Sequence, residues 1–159
     1  MGCAATEPEP EHAAAPESGR VARISDGDTL RLADGRRIRL VQIDAPEREV
    51  ECFGNAATKA LARLAPVGST IELERDPRLD DLDRNGRLLR YVRRGSLDLN
   101  LELVRLGAAA PYFYRGARGA RAEALLDATE EARAARRGLW RACPAARLAP
   151  TRQIAAGPP

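Results

Sequence analysis

The sequence predicts an α+β fold: a small closed barrel of five strands with three helices packed against it. Three observations predict it. Two Asp-Gly turn dipeptides, Asp26-Gly27 and Asp34-Gly35, separate short aliphatic runs, which reads as an antiparallel meander. One stretch of helical periodicity interrupts the strands and two more follow them. A chain of 159 residues, 44% of them hydrophobic, has room for one domain with a sizeable core and little more. Only 4% of residues are aromatic, so Leu, Val, Ile and Ala must fill that core.

Residues 1–18 are rich in Ala, Pro and Glu and read as a disordered or anchoring leader. Val21–Ile24 opens the first strand, Thr29–Leu32 returns as the second and Arg37–Ile43 makes the third. Pro46 ends the meander and holds Ala45 out of helix geometry. Gly54-Asn55 starts a helix that runs to about Leu64, with Ala56, Ala60, Leu61 and Leu64 on one face, before Pro66-Val67-Gly68 breaks it. Thr70–Glu74 and Leu88–Val92 are the fourth and fifth strands. The run between them, RDPRLDDLDRNGR, is too polar and turn-rich to be either element. Asp98 or Asn100 caps a second helix ending at Gly107. Ala120–Arg136 is a third, with Ala122, Leu125, Leu126, Thr129 and Ala132 inward. Residues 144–159 show no periodicity and read as a flexible tail. Five short strands with one helix between them and two after them fit the OB-fold, a five-stranded barrel of this kind.

Net charge is +3, unevenly spread. Residues 1–18 hold four acids (Glu7, Glu9, Glu11, Glu17) and no Lys or Arg, which leaves 19 acidic against all 26 basic residues in the remainder. Lys59 is the single lysine, and so many arginines favour an anionic partner or reflect a genome-wide bias toward Arg and Ala. The one histidine, His12, lies in the acidic leader. That excludes histidine-dependent metal nucleases, Ser-His-Asp hydrolases and zinc sites with His ligands from the folded part. Any base must be a carboxylate or a bound hydroxide.

Of three cysteines, Cys52 and Cys143 flank the folded part and form either a disulfide or two buried thiols. A bridge would imply an oxidising compartment. No run approaches the ~20 apolar residues of a membrane span. Gly2-Cys3 before an Ala/Glu/Pro stretch fits a lipoprotein anchored at Cys3, an N-myristoylation pattern, or a plain leader.

Charge crowds into Asp26–Glu47, where Asp28, Arg39, Asp44 and Glu47 sit in or beside short apolar runs. A strand that only packed would place Val, Ile or Thr there. Three carboxylates and a guanidinium sharing one pocket point to a hard cation and an anionic substrate. Strict alternation puts Arg39 and Asp44 on opposite strand faces, so they share a site only if the strand bends or ends by Asp44. Each alone has an ordinary reading: Asp28 as a turn residue, Arg39 as a solvated strand face, Glu47 as a helix-start acid.

Six segments in order, DGDT at 26–29, IRLVQIDAPE at 38–47, CFGNAA at 52–57, DRNGR at 83–87, LNLELVRLGAA at 99–109 and RRGLW at 136–140, resemble the staphylococcal nuclease (thermonuclease) family over residues 19–143. The resemblance implies an OB barrel with three helices. It implies Ca²⁺-dependent cleavage of single- and double-stranded DNA and RNA with little sequence preference, leaving 3′-phosphate ends. It assigns Asp28, Asp44 and the Ala45 backbone carbonyl to Ca²⁺, with Glu47 reaching the ion through water and serving as base or water-orienting residue. Arg39 and Arg87 would grip the scissile phosphate, and Arg84, Tyr112 and Tyr114 the nucleotide. Asn85 stands where the family usually has Tyr, and base–aromatic stacking is worth ~1–3 kcal/mol. The alternative is a catalytically weak OB domain that binds nucleic acid or a protein. A monomer without an obligate protein partner, secreted or lipid-anchored outside the cytoplasm, completes the expectation.

Overall fold

A computed structural model describes residues 17–159. The first Asp-Gly turn joins β1 (Glu17–Asp26) to β2 (Thr29–Leu32), and the second joins β2 to β3 (Arg37–Leu40). Both pairs are antiparallel, as tight turns demand. Next come β4 (Ile43–Asp44), helix α1 (Gly54–Leu64), β5 (Thr70–Glu74), β6 (Leu88–Arg94), β7 (Leu97–Asp98) and α2 (Leu99–Arg105). β5 pairs antiparallel with β1, β6 pairs antiparallel with β5, and β6 also runs parallel to β3. That last pairing joins the two edges of the sheet. β1, β2, β3, β5 and β6 therefore form a closed five-stranded mixed barrel with helices, the α+β OB-fold arrangement. After α2 follow β8 (Ala110–Pro111), α3 (Ala122–Ala134) and a short α4 (Leu139–Ala142).

The barrel interior is aliphatic. Leu30, Ile38, Leu40, Ile71 and Val92 are at most 1% exposed, and Ala57, Ala60 and Leu61 of α1 and Leu99, Leu103 and Val104 of α2 join the same cluster. Each fully buried aliphatic side chain contributes roughly 1.5–3 kcal/mol. Asp98 is the α2 cap, accepting from the Leu101 N–H at 3.0 Å. Asn100 instead pins α2 to the barrel, donating to the Val41 carbonyl at 2.8 Å and accepting from the Val92 N–H at 2.9 Å.

Several boundaries differ from expectation. β1 already includes Glu17 and Ser18, expected in the leader, because the Glu17 carboxylate pairs with Arg36 and Arg90 and the strand adds to β5 with Glu17 opposite Leu73. The inward face of α1 is Gly54, Ala57, Ala60 and Leu61, with Ala56 and Leu64 only half-buried. Helix α3 is trimmed at both ends and buries Ala128 in place of Leu126. Helix α4 raises the number of α-helices among the described residues to four.

Residues 144–159, expected as a flexible tail, pack back on the domain. Ile154 and Ala156 are buried at 6% and 1% exposure, and Arg147 bridges to Ala155. The physical reason is an alternation of apolar and exposed positions over Ile154–Ala156, a period of two too short to register as an element in the sequence. Cys52 and Cys143 are bonded, with Cα atoms 5.9 Å apart across 91 positions, and this fixes the root of that segment. Cys3, and with it the anchoring leader, lies outside the described residues.

Candidate functional site

The site is built where β2, β3 and β4 converge. The Asp26-Gly27 turn delivers Asp28 to the start of β2, and a Cβ on Gly27 would come within 2.6 Å of Ala45 Cβ and 2.8 Å of Ala57 Cβ. Glycine at 27 thus lets the turn lie directly on Ala45. Asp28 Oδ2 accepts the Ala45 N–H at 2.7 Å, and Asp28 Oδ1 accepts the Thr29 hydroxyl at 3.0 Å.

Strand parity is broken at Gln42. β3 stops at Leu40, and Gln42 takes a positive φ of 64° before β4 begins at Ile43. The buried Gln42 side chain holds this conformation by donating to the Ala117 carbonyl at 3.0 Å and accepting the Gly119 N–H at 2.7 Å. The reset lets Asp44 meet Arg39. Arg39 Nη1 lies 3.0 Å from Asp28 Oδ2, and Arg39 Nη2 donates to Asp44 Oδ1 at 2.7 Å. Nη1 also donates to the carbonyls of Leu40 and Ile43 at 3.1 and 2.9 Å. Of the five guanidinium hydrogens, the Nε–H and one on Nη2 have no partner among the described residues.

Arg87 enters from the loop before β6, which the parallel pairing sets beside β3, with Arg39 opposite Leu89. Its Nε donates to Asp83 Oδ2 at 2.6 Å and its Nη1 to the Thr29 hydroxyl at 3.2 Å. One chain of hydrogen bonds, with the Asp28–Arg39 ion pair as one link, therefore runs Arg87, Thr29, Asp28, Arg39, Asp44. Thr29, Asp83 and Gln42 were not singled out in the sequence. A Thr inside DGDT and an Asp four residues before an Arg were the only available signals.

Electrostatically the cluster lacks positive charge. Asp28, Arg39 and Asp44 are 5–7% exposed, so two carboxylates face one guanidinium. Burial pushes the Asp28 carboxyl up to about 7 against the pull of Arg39, with Asp26 and Asp44 adding to the rise. Burial also raises Asp44, opposed by Arg39 and the Ile154 N–H. Arg39 pays for desolvation, yet Asp28 and then Asp44 hold its charge above the usual arginine range. Hard oxygen donors with unbalanced negative charge fit a Ca²⁺-type cation, and the Ala45 backbone adjoins the same pair through its N–H bond to Asp28.

Glu47 does not join them. Among the described residues no three His, Cys, Asp or Glu side chains gather as a metal cluster, so the expected three-carboxylate pocket is a pair. Glu47 is exposed beyond Pro46, its N–H donating to Glu51 Oε2 at 2.7 Å. A Cβ on Gly54 would overlap the Glu47 carbonyl, so glycine is what lets α1 start against this loop.

On the outer surface, Tyr112 is half-buried and Tyr114 is 49% exposed, their rings 6.4 Å apart edge to face. Phe113 between them is core. Tyr112 donates its N–H to the Gln42 carbonyl at 2.9 Å, beyond the β4–β8 pairing of Asp44 with Ala110. Arg84 is exposed, and the Asn85 carbonyl accepts from Arg37 at 2.6 Å.

Over residues 37–142 the chain matches the family model described as staphylococcal nuclease homologue. No curated protein matches it. The matched span carries Arg39, Asp44, Glu47 and Arg87 and begins after Asp28, whose place in the site rests on its bonds to Ala45 and Arg39.

Proposed function

The chain belongs to the staphylococcal nuclease homologue family, and from that premise we propose that it is a Ca²⁺-dependent phosphodiesterase. Its substrates are single- and double-stranded DNA and RNA, cut with little sequence preference to leave 3′-phosphate ends. The observation that carries this reading is the continuous chain from Arg87 through Thr29, Asp28 and Arg39 to Asp44. It joins a pair of cation-binding carboxylates to two guanidiniums that keep unused donors.

Asp28, Asp44 and the Ala45 carbonyl would hold the ion, with Glu47 reaching it through water. Bound there, Ca²⁺ supplies the positive charge that screens the phosphodiester and stabilises charge building on it. Arg39 and Arg87 direct N–H donors at the non-bridging oxygens. Glu47, exposed and with no side-chain partner among the described residues, accepts the proton of the attacking water or orients that water. Water oxygen bonds to phosphorus, the bond to the 5′ oxygen breaks, and that oxygen takes a proton from solvent to leave as a 5′-hydroxyl. Tyr112, Tyr114 and Arg84 pack on the nucleotide and its backbone.

The disulfide supports an oxidising location. We place the protein outside the cytoplasm, secreted or anchored at Cys3, acting as a monomer. One observation favours a second reading, a nucleic-acid- or protein-binding domain with weak catalysis: Asn85 offers no ring for stacking. Digestion of the four nucleic-acid types with Ca²⁺ and with chelator, followed by end-group analysis, separates the two. Cleavage that stops with chelator and leaves 3′-phosphates is expected. Full activity in chelator would overturn the calcium reading, and salt-sensitive binding without turnover would favour the second.

A further inference from the structure

The C-terminal segment returns to the site from the far end of the chain. The Ile154 N–H donates to Asp44 Oδ2 at 2.9 Å, 110 positions away, and Gln153 Nε2 stands 3.5 Å from Asp44 Oδ1. The Ala156 N–H donates to Glu51 Oε1 at 3.3 Å, while the other oxygen of the same carboxylate accepts the Glu47 N–H. Gly157 accepts the Cys52 N–H at 2.8 Å, and Pro150 accepts the Phe113 N–H at 2.6 Å. With the disulfide at its root and Ile154 and Ala156 buried, the segment is held at both ends and in the middle.

We infer that residues 153–157 are a positioning segment of the site. The Ile154 amide fixes the metal ligand Asp44, and the Ala156 amide, through Glu51, fixes the loop that carries Glu47. The inference rests on the calcium reading above. A carboxylate offers about four acceptor positions. Arg39 and the longer Gln153 contact take Oδ1 and Ile154 takes one position on Oδ2, so one acceptor position on Oδ2 remains for a cation. The amide thus orients the ligand instead of displacing the ion. Outer partners of this kind typically change metal affinity by about 10–100-fold when lost.

The test is Ca²⁺ titration calorimetry on the oxidised full chain, a deletion of 153–159, Ile154→Pro and Ile154→Ala, with thermal melts to verify folding. The deletion and Ile154→Pro, which removes the N–H, should weaken Ca²⁺ binding about 10–100-fold. Ile154→Ala keeps the N–H and should bind within about threefold of the full chain, a difference that loss of packing alone does not produce. At saturating Ca²⁺ the Ile154→Pro variant should recover kcat, since its defect is in ligand placement. Unchanged affinity in the deletion overturns the inference. So does tighter binding, which would make the segment a competitor of the ion, or an equal loss in Ile154→Ala. A full chain that binds no Ca²⁺ removes the calcium reading and this inference together, a result distinct from the other three.

Discussion

Arg39 and Arg87 are two arginines with one proposed target and different structural debts. Arg39 is 7% exposed and pairs with both Asp28 and Asp44. Removing one member of a buried ionic group strands the others, at a cost of about 3–5 kcal/mol. Arg39→Ala should therefore lower unfolding free energy by about that much in chelator, measured by denaturant titration. Ca²⁺ should restore more stability to this variant than to the parent. Arg87 is partly exposed and pairs with a half-buried Asp83. Arg87→Ala should leave stability within about 1 kcal/mol, the usual worth of such a pair. Its kcat should fall by about 10²–10³, the loss typical of one transition-state donor. A stable, fully active Arg87→Ala protein would remove that role. Both arginines were legible as residue types in the sequence. Their different burdens were not, since these depend on which side chains the barrel encloses.

At the scale of elements, the turn between β3 and β4 decides whether a site exists at all. The sequence reads as one strand from Arg37 to Ile43, because IRLVQI is four aliphatic residues around Arg39 and one amide, with no turn residue in it. Local pattern carries no sign that Gln42 turns to φ 64°; the cause is non-local, in the bonds to Ala117 and Gly119 some 75 positions away. By contrast, β2 and β5 match their expected bounds, because short runs between turns or helix breakers depend on neighbours in sequence. Gln42→Val should cost about 2–4 kcal/mol through strain at positive φ and a stranded Gly119 N–H. Gln42→Gly, which accepts that φ, should cost less when both are measured by urea unfolding. Both should lose activity beyond their loss of stability, because Asp44 would no longer be fixed against Arg39.

For the whole molecule, the buried carboxylates link stability to pH and calcium. An unfolded aspartate releases its proton near about 3.9, whereas folded Asp28 keeps it to about 7. The folded state thus binds more protons across that window. The contribution of this group is complete below about pH 4 and is lost as pH rises through about 7. Asp44, also raised, acts in the same direction. In chelator, melting temperature should fall between pH 5 and pH 8, and added Ca²⁺ should raise it far more at pH 8 than at pH 5, read by calorimetry. A pH-independent calcium effect would contradict the proposed ligands. The barrel and its helices were legible from turns and periodicity, and the site's residue types from six short segments. The contact of residue 154 with Asp44 was not, because a backbone amide has no side-chain signature. That contact also bears on the order of events during synthesis. Translation proceeds from the N-terminus, and domains organise as they emerge. Asp28, Arg39, Asp44 and Arg87 leave the ribosome well before Ile154, so a chain whose synthesis has not passed residue 154 lacks the amide that completes Asp44. For a protein proposed to cut RNA, the site would then be completed only once a segment far downstream of its reacting side chains has been made.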